Sequence, residues 1–228
     1  VGPAMATHLV NWWLDGGKLP QKSGHLASNR CARTSPVSKI EVFLTPANRG
    51  VAHADDLYFG YMLHDTISNA LNEQIGLEGQ SSHTYLTMAV WAETQGFDGV
   101  AEFLYTHSEE ERQHMLKLMR FVNERGGVAQ VPTVRAGATD YAGLKEVFES
   151  ILAHETKVTE CINNVVDLCL QAKDYTTHNF MQWYVSEQIE EEALARKILD
   201  KLALAGDDHG AMYLFDRDIV TFGSADHA

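Results

Sequence analysis

The sequence predicts an all-α protein, a four-helix bundle with one long crossover and a short fifth helix. Three observations predict it. Apolar residues recur at three- and four-residue spacing over four stretches of roughly 28–32 residues each. The joints between those stretches run short, long, short. Each long stretch also carries an acidic residue on its apolar stripe.

The first helix spans about 65–92, with Ile67, Leu71, Ile75, Glu78, Ser82, Tyr85 and Ala89 on one stripe. Gln95-Gly96-Phe97-Asp98 forms a turn, and Asp98 is positioned as the N-cap of the second helix. That helix runs from about 99 to 125 with Val100, Leu104, His107, Glu111, His114, Leu118 and Phe121 aligned, and Gly126-Gly127 ends it. Residues 126–142 hold a proline and several glycines and read as a long connection. Thr139 or Asp140 caps a third helix over about 141–172, whose stripe is Leu144, Phe148, Ile151, Glu155, Val158, Ile162, Val165 and Cys169. After a turn at Lys173-Asp174, a fourth helix carries Phe180, Tyr184, Glu187, Glu191, Leu194 and Ile198, and Gly206 stops it. Asp207 or Asp208 then caps a short fifth helix over about 209–221.

Helices of this length are ~42–48 Å long at 1.5 Å rise per residue. The long connection spans at most ~55–60 Å extended, enough to run the length of the bundle and make the second and third helices parallel. Gly76 and Gly79 each cost the first helix about 1 kcal/mol relative to Ala, which only a closely packed neighbour would explain.

Apolar residues make up 45% of the 228-residue chain, enough for a full core, and no run reaches the 18 apolar residues that suggest a membrane span. Cys31, Cys161 and Cys169 form no C-x-x-C pair, and the last two are too far apart on one helix for a disulfide. A reducing, cytoplasmic setting fits. The net charge of −13 is uneven: residues 1–54 carry six Lys/Arg against two acids, and residues 55–228 carry 12 basic against 29 acidic groups. An acidic body speaks against nucleic acid and suits cations, although much of such charge serves only solubility.

Residues 1–61 hold four of the five prolines and show no sustained period. A targeting peptide, a flexible extension and a non-native leader ahead of Met62 compete there. The first 15 residues have no basic residue, which favours the last two. The expected domain is 62–228.

The acids carry the chemistry. Glu111 and His114 share a helix face, three residues apart. Counted from the turns, Glu78 and Glu111 meet at one level of the first hairpin, and Glu155 meets Gln188 and Glu191 at one level of the second. Through the crossover the two levels coincide. An unpaired buried carboxylate is costly, and a shared metal is a common remedy. One imidazole with several carboxylates is an oxygen-rich set that suits iron or manganese better than a cysteine-type zinc site. Tyr85, two turns from Glu78, is either a core tyrosine needing a hydrogen-bond partner or a redox-active neighbour of the metals. Trp183 reads as packing and His107 as core or a supporting group. Glu110, Glu187, Glu190 and Glu191 read as a solvated acidic face or a further cation site.

At these residues the chain resembles the bacterial non-haem ferritins. The motifs are Leu71-Asn-Glu-Gln-Ile-Gly-Leu-Glu78, Ser81-Ser-His-Thr-Tyr85, Glu110-Glu111-Arg-Gln-His114, His154-Glu155 and Gln182-Trp-Tyr-Val-Ser-Glu-Gln188-Ile-Glu-Glu-Glu192. The resemblance covers about 62–222. It implies a 24-subunit hollow shell that oxidises Fe(II) with O2 or H2O2 and stores ferric oxyhydroxide. Carried over, Glu78, Glu111 and His114 hold one iron, and Glu111 bridges to a second held by Glu155 and Glu191. Gln188 hydrogen-bonds nearby solvent or dioxygen, Tyr85 lies beside the pair, and Glu110, Glu187, Glu190 and Glu191 hold a third iron. Haem-binding relatives carry a second E-x-x-H in the fourth helix and a methionine after the glutamate of the first. Here Gln188-Ile-Glu-Glu191 and Arg112 stand in those places, so no haem is expected. Animal ferritins carry an acidic pair near the start of the fourth helix where this chain has His178-Asn-Phe-Met181, which leaves the iron route open. A di-iron oxygenase or peroxidase acting on an organic substrate, and a structural cage with a defective centre, are the rival readings.

Overall fold

The computed structural model describes residues 63–222; the expectations for residues 1–61 lie outside them. The described chain forms α1 (Asp65–Thr94), α2 (Asp98–Glu124), α3 (Leu144–Ala172), α4 (Tyr175–Ala205) and α5 (His209–Ile219). No strand is present among the described residues, and no described helix is long and apolar enough to cross a membrane.

α1 packs on α2 and α3, α3 on α4, and α5 against α2 and α4. The stripes expected for α1, α2 and α3 are buried throughout. The core is divided by depth. One apolar cluster gathers Phe103, Phe148, Ile198 and Phe215 at one end. The other gathers Leu71, Leu118, Ile162 and Tyr184.

Contacts between helix ends give the directions. Phe103 near the start of α2 packs on Phe148 near the start of α3, with ring centres 6.1 Å apart. Arg125, just past the end of α2, forms a two-pronged ion pair with Asp174 just past α3, at 3.1 and 3.2 Å. α2 and α3 therefore run parallel, as the crossover length allows.

The crossover climbs along α1, held by side chains that substitute for a neighbouring strand. Asn72 donates to the Val128 carbonyl and accepts from the Gln130 amide. Gln80 does the same to both main-chain groups of Arg135. A β-carbon on Gly79 would sit 2.9 Å from Pro132 and 3.1 Å from the Met115 sulfur, so the crossover requires that glycine. Gly76 meets nothing within 4 Å, and the structure does not explain it.

Two expected caps are corrected. α3 starts at Leu144, not near 141, and neither Thr139 nor Asp140 caps it. Tyr141 instead packs edge-on against Trp91 near the end of α1. The Glu146 carboxylate accepts from the Ala142 amide. Asp98 does not cap α2 but is its first residue. The cap comes from α5, whose Asp216 carboxylate accepts from the amides of Gly99 and Val100 at 3.2 and 2.9 Å. Asp208 caps α5, and Asp174 caps α4. Lys173 takes the left-handed conformation at φ 57° in the α3–α4 turn.

Candidate metal centre

Each long helix turns at least one acid inward. Glu78 on α1, Glu111 and His114 on α2, and Glu155 on α3 are buried, at 1–9% exposure. On α4 Gln188 is buried, while Glu187 and Glu191 are half-buried. Glu78, Glu111 and His114 each offer a ligand atom, all within 4.8 Å of one another. His114 Nδ1 lies 4.0 Å from Glu78 and 3.8 Å from Glu111, and its Nε2 lies 4.0 Å from Glu187. This is the set in which the sequence anticipates the first iron.

Glu155 is anchored on both oxygens. Tyr85 donates to Oε1 at 2.7 Å, and Gln188 Nε2 donates to Oε2 at 3.2 Å. Gln188 also donates to the Glu155 carbonyl at 3.1 Å, so it ties α4 to α3 at this level. The Tyr85 hydroxyl thus has the buried partner that a core tyrosine needs, and that partner is itself one of the clustered acids. Tyr184 donates to the His114 carbonyl at 2.9 Å and fixes the α2 backbone behind the imidazole.

The electrostatics follow from burial without countercharge. Burial pushes the Glu78 carboxyl up to about 7, against a hydrogen bond from Glu111 that pulls it down. Burial, reinforced by Glu155 and Glu78, holds Glu111 well above the usual carboxylate range. Glu191 is raised by burial and by Glu155 and Glu110. Tyr85 and Tyr184 are raised by burial and by the same acids. No lysine or arginine ion pair reaches Glu78, Glu111, Glu155 or Glu191 among the described residues. A site that destabilises several carboxylates together and supplies no cation of its own is chemically poised to take one up.

A second group joins His107, Glu110 and Glu191. His107 is buried beside these two acids. Its Nδ1 donates to the Phe103 carbonyl at 2.9 Å, which leaves the Nε2 lone pair free, 3.8 Å from Glu110. That tautomer is the one a metal needs. Glu190 is exposed and joins neither group, and Glu187 lies on the His114 side instead. Trp183 stacks edge-on to His114 at 5.2 Å, with the Lys117 ammonium over its face.

Sequence reasoning missed Gln74. It is 1% exposed, and its Nε2 donates to Glu78 at 2.9 Å. The available signal was its position one turn before Glu78, a polar residue on an otherwise apolar stripe.

Known proteins with the same arrangement place the chain. The ferritin-like domain family matches residues 68–205. A probable bacterial non-heme ferritin-like protein of Haemophilus influenzae is 45% identical over 158 residues, covering 69% of this chain and 96% of the relative. The bacterial non-heme ferritin of Campylobacter jejuni is 40% identical over 158 residues, covering 69% and 95%. An open-pore ferritin from the archaeon Archaeoglobus fulgidus superposes with a TM-score of 0.68 at 36% identity, covering 69% of this chain and 96% of that one. With the family match over residues 68–205 and relatives 40–45% identical over nearly their whole length, the chain belongs to the ferritin family.

Proposed function

We propose that the protein is a ferroxidase and iron-storage subunit, which oxidises Fe(II) at a di-iron centre and passes Fe(III) to a mineral inside a hollow shell. The observation that carries this reading is the layer of buried carboxylates with one imidazole, contributed by four different helices, in which no lysine or arginine ion pair reaches Glu78, Glu111, Glu155 or Glu191 among the described residues. Fe(II) is the substrate. Glu78, Glu111 and His114 hold the first ion, and Glu111 reaches toward a second held by Glu155 and Glu191. Two Fe(II) give up two electrons, which with two protons reduce O2 to H2O2 or H2O2 to two waters. Gln188 keeps Glu155 oriented, and Tyr85 lies in hydrogen-bond contact with the same carboxylate. Glu110 and Glu191, joined by His107, offer a third position; Glu187 and the exposed Glu190 lie nearby on the same helix as Glu191.

An oxygenase acting on an organic molecule needs a pocket of roughly 300 Å³ or more. The pocket that reaches Tyr85, His107 and Glu191 is about 10 Å³, the size of a water or a diatomic molecule. This supports a small oxidant rather than an organic substrate. Membership of the ferritin family supports assembly into a multimeric cage, and the proposed form is a shell of 24 like subunits in the cytoplasm. Arg112, at the position of the haem-binding methionine, supports a haem-free shell.

The test is stopped-flow oxidation of Fe(II) by the Glu111→Ala variant. The fast phase should slow by at least about 100-fold, because one substitution removes a ligand from both ions. An unchanged rate would refute the assignment.

A further inference from the structure

Among the described residues, one buried side-chain oxygen or nitrogen lacks a hydrogen-bond partner, and it is Oε1 of Gln74. Other buried polar side chains of α1 are satisfied: Ser81 donates to the Leu77 carbonyl, Ser82 to the Ser108 carbonyl and Tyr85 to Glu155. Gln74 is 1% exposed, and the Nε2 of the same amide donates to Glu78 Oε1 at 2.9 Å. Helical side chains lean toward the N-terminus, so Glu78 leans over Gln74, one turn before it. The orientation of the amide follows from its partner. Turned over, its oxygen would face a carboxylate oxygen, and two acceptors would meet. An unsatisfied buried oxygen is a cost to folding, and an apolar side chain of the same shape would avoid it. What Nε2 does to Glu78 is therefore the physical reason for an amide at this position.

We propose that Gln74 is a positioning residue for the metal centre: by holding Glu78 Oε1 it presents Glu78 Oε2 to the first ion. Oε2 is the oxygen that lies 4.0 Å from His114 Nδ1, and the same nitrogen lies 3.8 Å from Glu111 Oε2. Donors at this spacing can share one ion at ~2.0–2.2 Å from each. Glu78 also shares a hydrogen bond with Glu111. That proton leaves when an ion enters between the two carboxylates, because metal ligands must be deprotonated. The bond from Gln74 lies on the other oxygen and is kept, and a donor suits the ionised carboxylate that the ion requires. Without it the Glu78 carboxylate is free to turn about its last bond, and the ion loses a ligand whose direction was set in advance. Outer partners of this kind support metal affinity by about 10–100-fold.

The proposal rests on the di-iron reading, and the test separates the two. Gln74→Met and Gln74→Leu remove the donor and keep an apolar side chain of similar size. Each exchanges one unpartnered oxygen, Gln74 Oε1, for another, Glu78 Oε1. The metal-free Tm should therefore stay within about 4 °C of wild type. The purified, metal-free protein is then titrated with Co(II), and binding is followed by the absorption of the bound ion. In both variants one of the two ions should bind about 10–100-fold more weakly than in wild type. Wild-type affinity for both ions in both variants would overturn the role of Gln74 and leave the centre standing. A metal-free Tm lowered beyond that range in both variants, or failure of both to fold, would assign Gln74 to packing and overturn the proposal as well. Absence of Co(II) binding by the wild-type protein would overturn both the proposal and the di-iron reading.

Discussion

At the scale of single residues, the site is organised by what each buried polar group lacks. Glu78 and Glu111 share a hydrogen bond and have no lysine or arginine partner among the described residues, so in the metal-free protein they hold protons that exposed carboxylates would release. The consequence for stability has a definite sign. Glu78 has an ordinary value of 4.5 and is raised to about 7, so between those values the folded protein keeps a proton that the unfolded chain gives up. The metal-free fold is therefore stabilised on the acid side of this window and loses up to ~3 kcal/mol as pH rises through 7. Glu111 and Glu191 shift in the same direction and extend the loss. A divalent cation reverses it, because it binds the ionised carboxylates and becomes harder for protons to displace as pH rises. Thermal unfolding at pH 5, 6, 7 and 8 should show the metal-free protein's Tm falling across the series and the Co(II)-loaded protein's Tm not falling. A metal-free Tm that rises from pH 5 to 8 would contradict the assigned burial of these acids.

At the scale of elements, the helices and the buried faces of α1, α2 and α3 were legible because three- and four-residue periodicity and turn residues are local signals. On α4 the buried face includes Thr177, Met181, Tyr184, Gln188, Ala195 and Ile198, and the expected Phe180, Glu187, Glu191 and Leu194 are only half-buried. The level of the acids was legible for the same reason: counting from a tight turn fixes height in an antiparallel hairpin. What local signals could not supply were groups donated from afar. The cap of α2 comes from Asp216, more than a hundred residues later, so Asp98 was the natural but incorrect choice. α3 starts at Leu144, and Tyr141 ahead of it packs on Trp91, fifty residues earlier in the chain. The role of His107 depends on which ring nitrogen the Phe103 carbonyl captures, and a sequence does not reveal a tautomer. Gly76 and Gly79 look alike in the sequence yet differ in the fold, which yields a paired prediction. Gly79→Ala should destabilise by about 1–3 kcal/mol, because its β-carbon meets the Pro132 ring at 2.9 Å and the crossover must shift. Gly76→Ala, with open space around it, should stabilise by about 0.5–1 kcal/mol through helix propensity alone. Denaturation midpoints of the two variants should move in opposite directions; a shift of the same sign would contradict the close approach of the crossover.

At the scale of the whole molecule, the bundle brings chemistry from four helices to one height and leaves large apolar side chains outside. Val131, Leu204, Tyr213 and Ile189 are 67–82% exposed, and single exposed apolar residues are ordinary, but this many suit a subunit built to be covered by its neighbours. Native mass spectrometry of the purified protein should give a shell of 24 subunits, and a monomer or dimer as the sole species at micromolar concentration would contradict the storage reading. The claim on which everything else depends is that the carboxylate layer binds two iron ions side by side. Anomalous X-ray scattering at the iron edge, from crystals soaked anaerobically in Fe(II), tests it most directly. The account predicts two peaks on either side of the Glu111 carboxylate, one against Glu78 and His114 and the other against Glu155 and Glu191. A layer without iron, while iron is found only on the protein surface, would contradict it.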